Sequence, residues 1–142
     1  MKIGIAADHA GYEIKQRVIE ELKSWGYTVV DYGTDGPDSV DYPDFAKALA
    51  EGILKEEVEK GIAFCGTGIG ISIALNRHKG IRAALCHTEF EAEASRQHND
   101  ANVLCMGARV LGEGLVFALI KTWLAASFEG GRHQRRVDKM EC

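Results

Sequence analysis

One short stretch of this 142-residue sequence, Phe64–Ser72, limits the possible folds more than any other. The apolar run that leads into it, Gly61–Phe64, has the length and composition of a buried strand. A cysteine and three glycines at alternate positions follow, and Ile71–Leu75 then has the character of a first helical turn. A glycine loop between a strand and a helix directs backbone N–H groups and the positive end of the helix dipole toward one anion. The stretch therefore predicts a small anion site.

Cys65 lies at the edge of this predicted loop, where a helix N-terminus favours thiolate over thiol. The alternative is a tight turn with a buried structural cysteine. Sharper anion motifs do not fit, because a Walker loop needs a lysine after Gly70 and a dinucleotide fingerprint needs a glycine in place of Ile71. A phosphatase-type loop would need an arginine there. The sequence thus leaves a small anion site beside a thiol.

Composition excludes several classes of function. A chain of this length predicts a single domain over residues 1–142, and no apolar run is long enough to span a bilayer. A net charge of −4 argues against general nucleic-acid binding. The four cysteines lack the spacing of a metal site, and a reducing cytoplasm is the expected location.

Strand-like and helix-like segments alternate along the chain. Strands are predicted at 2–7, 28–30, 61–65, 82–86 and 103–106. Helices are predicted from 12 to 25, from 42 to 53, from about 71 to 77, from 88 to 98, around 115–124 and in the basic tail at 130–140. This alternation predicts a three-layer α/β/α, Rossmann-like fold with a five-stranded parallel sheet in flavodoxin-like order.

The predicted topology brings reactive groups together. In the flavodoxin-like order, ligands bind where the connections leaving strands one and three diverge, at the carboxyl ends of those strands. Asp8 and His9 leave strand one, and Cys65 ends strand three. An acid, an imidazole, a thiol and an anion site would share one crevice, which favours a catalytic Cys65.

Proton abstraction next to a carbonyl is a reaction that suits these groups. The loop would stabilise an enediolate oxygen while the thiolate removes and returns the proton. A phosphorylated sugar would supply the anion. Arg132 and Arg136 are four residues apart, so they share a helix face and could hold its phosphate. The alternative for this pair is a solvated C-terminal helix face.

Several motifs in order resemble those of one enzyme family over nearly the whole chain. The chain is similar to the type B ribose-5-phosphate isomerases and their galactose- and allose-6-phosphate isomerase relatives. The motifs that carry this resemblance are Ile5–Gly11, Asp41–Asp44, Cys65–Gly70, His98–Leu104, Gly107–Arg109 and Gly131–Val137.

The resemblance implies roles for individual residues. Cys65 would move a proton between C1 and C2 of the open-chain sugar, and Thr67 would assist transfer between the two oxygens. Asp8 and His98 match residues that bind the sugar ring and open it. One branch of the family uses a glutamate at the position of Ile71, so this chain fits the cysteine branch. The implied substrate-binding positions in the loop are Gly66, Gly68, Ile69 and Gly70.

The resemblance also implies a phosphate site and a partner. His9, Arg132 and Arg136 match phosphate-binding positions. Asn99 and Arg109 match positions that enter the site from a second subunit. The implied assembly is a homodimer, with a tetramer as the alternative. The active site would lie at the subunit interface and use neither a metal nor an organic cofactor.

The leading hypothesis is aldose–ketose isomerisation of ribose 5-phosphate and ribulose 5-phosphate. Three alternatives stay open: the same reaction on a hexose 6-phosphate such as allose or galactose 6-phosphate, a non-catalytic sugar-phosphate- or nucleotide-binding module, and a thiol redox protein. The redox reading is disfavoured because no second cysteine lies near Cys65 in sequence. Tyr42 could line the pocket or simply begin a helix, and His133 is expected to be solvated.

Overall fold

The computed structural model describes residues 1–141, in which five strands alternate with helices. The strands are β1 (Lys2–Ala7), β2 (Thr28–Asp31), β3 (Lys60–Cys65), β4 (Ala83–Leu85) and β5 (Val103–Gly107). The helices are α1 (Tyr12–Ser24), α2 (Tyr42–Leu54), α3 (Ile69–Asn76), α4 (Glu89–Gln97), α5 (Glu113–Ala125) and α6 (Arg132–Met140), and a 3₁₀ turn spans His9–Gly11. Each predicted element is present within a few residues of its expected bounds.

Local sequence signals explain where several helices begin and end. Thr88 and Glu91 form the reciprocal hydrogen bonds of a capping box at the start of α4. Pro43 lies in the first turn of α2, where its missing N–H breaks no helical hydrogen bond. Gly26 follows α1 with a φ of +92°, a conformation that glycine adopts without strain.

All five strands are parallel and lie in the order β2-β1-β3-β5-β4. The three-layer, Rossmann-like prediction is confirmed, and so is the divergence between β1 and β3. The flavodoxin-like order is wrong for the last two strands, which exchange places relative to 2-1-3-4-5. β4 is three residues long and only half-buried, whereas β5 is buried throughout. The short strand therefore occupies the edge and β5 the interior.

Helices cover both faces of the sheet. One core contains side chains of α1, α4 and α5, including Val18, Leu22 and the fully buried Trp123. The other contains side chains of α2 and α3, including Leu49 and Leu75. Within residues 1–141, no helix combines the length and the apolar character needed to cross a membrane.

One ion pair ties the first helix to the second strand. The ammonium group of Lys15 is fully buried and lies 2.7 Å from a carboxylate oxygen of Asp31. The other oxygen of Asp31 accepts a hydrogen bond from Gly33 N–H at 2.9 Å. The pair thus fixes the start of the loop that follows β2.

Candidate active site

A cleft of about 400 Å³ opens at the carboxyl ends of β1 and β3. Its position is the one that the divergence of the chain at these two strands predicts. The residues that line it are Asp8, Tyr42, Cys65, Gly66, Thr67, Ile69, Gly70 and Arg109.

The sulfur of Cys65 lies at the base of the glycine loop. It is 5% exposed and accepts a hydrogen bond from Gly68 N–H at 3.1 Å. Gly68 precedes α3 with a φ of +78°, and a Cβ there would approach Leu85 Cδ1 to 2.6 Å and the carbonyl carbon of Met106 to 2.8 Å. Both the conformation and the close packing therefore require glycine.

Thr67 and the first turn of α3 form the rim of the cleft. Thr67 is exposed, and its Oγ1 accepts a hydrogen bond from Ile69 N–H at 3.2 Å. Because the hydroxyl oxygen is the acceptor in that contact, its proton remains available to a ligand. The first N–H groups of a helix have no intrahelical acceptor, so α3 offers donors and a positive dipole end here.

Asp8 and His9 leave β1 in a 3₁₀ turn. Asp8 is 6% exposed, and its Oδ1 accepts hydrogen bonds from Ala10 N–H at 3.0 Å and Gly11 N–H at 3.3 Å. These contacts fix the carboxylate and leave Oδ2 for a ligand. His9 lies in the same turn beside the cleft, and its Nδ1 accepts Val40 N–H at 3.1 Å.

Arg109 belongs to the cleft of its own chain, which differs from the expectation that it enters from a second subunit. Ala108 N–H donates to the carbonyl of Cys65 and Arg109 N–H to that of Gly66, both at 2.9 Å. These bonds continue the pairing of β5 with β3 and bring the guanidinium against Gly66, where Nη1 would lie 3.3 Å from an added Cβ.

Tyr42 lines the cleft, the outcome that the sequence left undecided. A Cβ on Gly70 would lie 2.6 Å from Cζ of the Tyr42 ring, so the ring rests on the loop backbone. The sequence signal was the tyrosine directly before Pro43 at a helix start, but that pattern equally describes a helix entry.

The remaining predicted residues lie at the opposite end of the sheet. His98 and Asn99 follow α4 and precede β5, whereas Cys65 pairs with Gly107 at the far end of β5. The four residue steps of β5 alone span roughly 13 Å. Arg132 and Arg136 are exposed on α6, which ends beside Gly80 at the amino end of β4. One chain therefore does not bring these four residues to its own Cys65.

His98 and His133 stack on one another, so the expectation of a solvated His133 is wrong. Their ring centroids are 4.5 Å apart with 14° between the planes, and Glu129 Oε1 lies 3.7 Å from Nε2 of His98 and 3.5 Å from Nε2 of His133. An imidazole binds a metal close to its own ring plane. Two nearly parallel rings do not direct both nitrogens at one ion, so the trio forms an imidazole–carboxylate cluster rather than a chelating site.

The cleft therefore combines a thiol, a carboxylate, a hydroxyl, a guanidinium and main-chain donors around one small volume. These groups could hold an anion, stabilise a developing oxyanion and move a proton. Two further buried thiols, Cys86 and Cys105, are not part of the cleft lining. Burial raises the pKa of Cys86 to about 11 and that of Cys105 well above its ordinary value, so both are protonated at neutral pH.

Comparisons with known proteins agree with this geometry. A putative sugar phosphate isomerase of Bacillus subtilis, YwlF, is 49% identical over 141 residues, covering 99% of this chain and 95% of the relative. Ribose-5-phosphate isomerase B of Escherichia coli is 45% identical over 137 residues, covering 96% of this chain and 92% of the relative.

Solved structures give the same result. Ribose-5-phosphate isomerase B of Clostridium thermocellum superimposes with a TM-score of 0.98 at 52% identity, covering 99% of this chain and 95% of the other. The type B enzyme of Trypanosoma brucei superimposes with a TM-score of 0.95 at 40% identity, covering 99% and 96%. A family model described as Ribose/Galactose Isomerase matches residues 3–140. The chain is thus a member of the ribose/galactose isomerase family.

Proposed function

We propose that this protein interconverts ribose 5-phosphate and ribulose 5-phosphate through an enediolate, with Cys65 as the base. The observation that carries the proposal is the hydrogen bond from Gly68 N–H to the Cys65 sulfur at the mouth of the glycine loop. The names of the similar proteins from Escherichia coli and Clostridium thermocellum support ribose 5-phosphate as the substrate.

The reaction moves one proton from C2 to C1 and a second proton from O2 to O1. Ionised Cys65 takes the hydrogen from C2 of the open-chain aldose, and the electron pair moves to O1, which becomes the enediolate oxygen. N–H groups of the glycine loop and the first turn of α3 stabilise this charge. Thr67 then transfers a proton from O2 to O1, and Cys65 returns its proton to C1. Asp8 binds a sugar hydroxyl through Oδ2, while His9 and Arg109 hold the phosphate end.

A second copy of the chain completes the site in this proposal. His98, Asn99, Arg132 and Arg136 lie at the amino ends of the strands, so they reach a Cys65 cleft only if that cleft belongs to a partner. Ile69 lines the cleft, Ile73 lies one turn further along α3, and Val110 follows Arg109; the three expose 51%, 57% and 53% of their surface. Such apolar side chains suit a surface that a second copy covers. A homodimer is the minimal assembly, and a tetramer would be compatible with it.

A reducing cytoplasm is the proposed location. Cys65, Cys86 and Cys105 are all free thiols, and the proposed reaction requires Cys65 to stay unoxidised. The proposed functional unit is one sugar-phosphate isomerase domain that spans residues 1–142.

The substrate is tested by comparing kcat/KM for ribose 5-phosphate, allose 6-phosphate and galactose 6-phosphate with the purified protein. The expected order has ribose 5-phosphate first. An equal or higher value for a hexose phosphate would overturn the substrate and leave the mechanism standing. No turnover of any of the three would favour a binding module instead.

The base is tested with Cys65→Ala. General acid–base catalysis is worth about 10²- to 10⁴-fold, so turnover should fall by that factor while the sugar phosphate still binds. Cys86→Ala is the matched control, since Cys86 is buried on the opposite face of the sheet and should retain activity. Wild-type turnover in Cys65→Ala would exclude this sulfur as the base.

A further inference from the structure

The segment at His98 and helix α6 are separate in sequence, yet both bind the side chain of Arg82. Arg82 precedes β4, and its side chain is 21% exposed. Its Nε donates to the main-chain carbonyls of Asn99 at 3.2 Å and Asp100 at 3.1 Å. Its Nη1 donates to Oε1 of Glu141, the residue that caps α6. A single planar group thus joins the two segments.

Further contacts hold each segment in the same arrangement. Glu141 Oε2 accepts Gly80 N–H at 3.1 Å, which fixes the end of α6 a second time. Asp100 lies 3.5 Å from Arg82 Nη2 and accepts a hydrogen bond from Arg96 at 2.9 Å. Asp100 also has a φ of +48°, in the left-handed region that aspartate adopts more readily than most residues with a side chain. The chain turn after Asn99 is therefore maintained by these two arginines.

We propose that Arg82 is a positioning residue that assembles, within one subunit, the half-site that this subunit contributes to its partner. This proposal rests on the proposed function above, in which His98 and Asn99 act together with Arg132 and Arg136. Arg82 touches no substrate. It sets the spacing between the imidazole and amide on one segment and the phosphate-binding arginines on the other.

Arginine is needed here because its fork makes several directed hydrogen bonds at once, which a lysine ammonium on a flexible stem does not reproduce. In Arg82→Met, kcat/KM for ribose 5-phosphate should fall about 10- to 100-fold, the loss typical of misplaced binding groups. Most of the loss should be a rise in KM, because phosphate contacts act in the ground state and the transition state alike. Arg82→Lys should recover only part of it.

Subunit mixing separates this role from a general structural one. Cys65→Ser damages the receiving half-site, and Arg82→Met damages the contributed half-site. In a mixed dimer, one site combines the intact Cys65 of one chain with the intact Arg82 of the other. Random mixing should restore about a quarter of wild-type activity, because half the dimers are mixed and each has one intact site.

Control pairs make the outcomes distinguishable. Cys65→Ser mixed with Arg132→Ala tests the shared site itself. If activity recovers when Cys65→Ser is mixed with Arg132→Ala but not when it is mixed with Arg82→Met, the proposed role of Arg82 is overturned and the shared site is retained. Recovery in neither pair would overturn the shared site and this proposal with it. Arg77→Met is the matched charge control, since Arg77 is exposed and forms no ion pair within residues 1–141; it should keep wild-type kinetics.

A milder variant covers the case in which Arg82→Met does not fold, as judged by circular dichroism and thermal unfolding. Glu141→Gln keeps the contacts of Arg82 with Asn99 and Asp100 and weakens only the link to α6. Its KM should rise several-fold, and mixing with Cys65→Ser should restore activity in the same way. An unchanged KM in Glu141→Gln would contradict the coupling between α6 and the His98 segment.

Discussion

Gly68 donates its main-chain N–H to the sulfur of Cys65 at 3.1 Å, and it does so from a left-handed backbone conformation with a φ of +78°. Gly68, within the loop that follows Cys65, is thus both a hydrogen-bond donor and a position at which the backbone conformation requires glycine. Two neighbouring backbone atoms, Met106 C and Gly107 N, would lie within 3.0 Å of a Cβ at this position. Neither atom moves without disturbing β5.

Gly68→Ala should therefore lower both stability and activity. The left-handed conformation costs an alanine about 1 kcal/mol or more, and the contacts with β5 add to that, so the free energy of unfolding should fall by at least about 2 kcal/mol. Urea unfolding and kcat measure the two effects. Gly36→Ala is the control, because no atom lies within 4 Å of its Cβ position. Equal behaviour of the two variants would contradict the packing seen at Gly68.

The neutral form of the His9 imidazole should carry its proton on Nε2. Its Nδ1 accepts the N–H of Val40, so the proton occupies the other nitrogen, which is then a donor for phosphate oxygens. Nitrogen-15 NMR distinguishes the two tautomers directly. Val40→Pro removes the N–H and should mix the tautomers and raise KM by up to about tenfold, whereas Val40→Ala keeps it. A pure Nε2–H tautomer in Val40→Pro would show that Val40 is not the cause.

Replacing Asp31 should lower the free energy of unfolding more than replacing Lys15, its partner in the ion pair. Lys15 is fully buried, whereas the Asp31 side chain is 41% exposed. In Asp31→Ala the buried ammonium loses its carboxylate and keeps Gln16 Oε1, at 3.0 Å, and the Tyr12 ring, whose centroid lies 5.4 Å away, so the variant should cost about 2–3 kcal/mol. Lys15→Met removes the charge and keeps much of the buried volume, so it should cost less than about 1 kcal/mol. Urea unfolding tests the order, and a larger loss in Lys15→Met would reverse this interpretation.

Alkaline pH should destabilise the protein through Cys86. Burial raises its pKa from 9.0 to about 11 in the native state, so the folded chain holds this proton more tightly than the unfolded chain. That contribution to stability is complete below pH 9 and is lost as the pH rises from 9 to 11, by an amount on the order of 2 kcal/mol. Urea unfolding at pH 8, 9 and 10 should show that the free energy of unfolding declines less in Cys86→Ala than in the wild-type protein. Cys105 shifts in the same direction, so some decline should persist.

The sequence was sufficient for the part of the site that depends on chain direction. In a parallel α/β sheet the carboxyl ends of all strands lie at the same end of the sheet. Asp8 after β1 and Cys65 at the end of β3 therefore had to lie close together if the two strands were neighbours. Hydrophobic runs and glycine positions are local signals, and they located both strands. The same rule also implies that His98, at the end of a crossover helix, lies at the amino end of the strands, opposite Cys65.

The lateral order of the strands in the sheet could not be predicted from this sequence alone. Nothing local in the residues of β4 and β5 states which of them pairs with β3. The deciding properties are the short length and partial burial of β4, and these emerge only when the sheet is assembled. The position of Arg109 in its own chain follows from that order. The stacking of His98 and His133 depends on α6 packing against a segment more than thirty residues earlier, which no sequence spacing reveals.

The exchange of β4 and β5 also decides which charge meets the thiol. In the 2-1-3-4-5 arrangement, the strand beside β3 would release Cys86 and His87 at the loop, and Arg109 would emerge one strand further away, a displacement of about 5 Å. With β5 adjacent, a permanent cation stands at the rim where a phosphorylated ligand enters. The exchange of two neighbouring strands thus places a guanidinium opposite the Asp8 carboxylate at this opening, without any change in the amino acids of the loop itself.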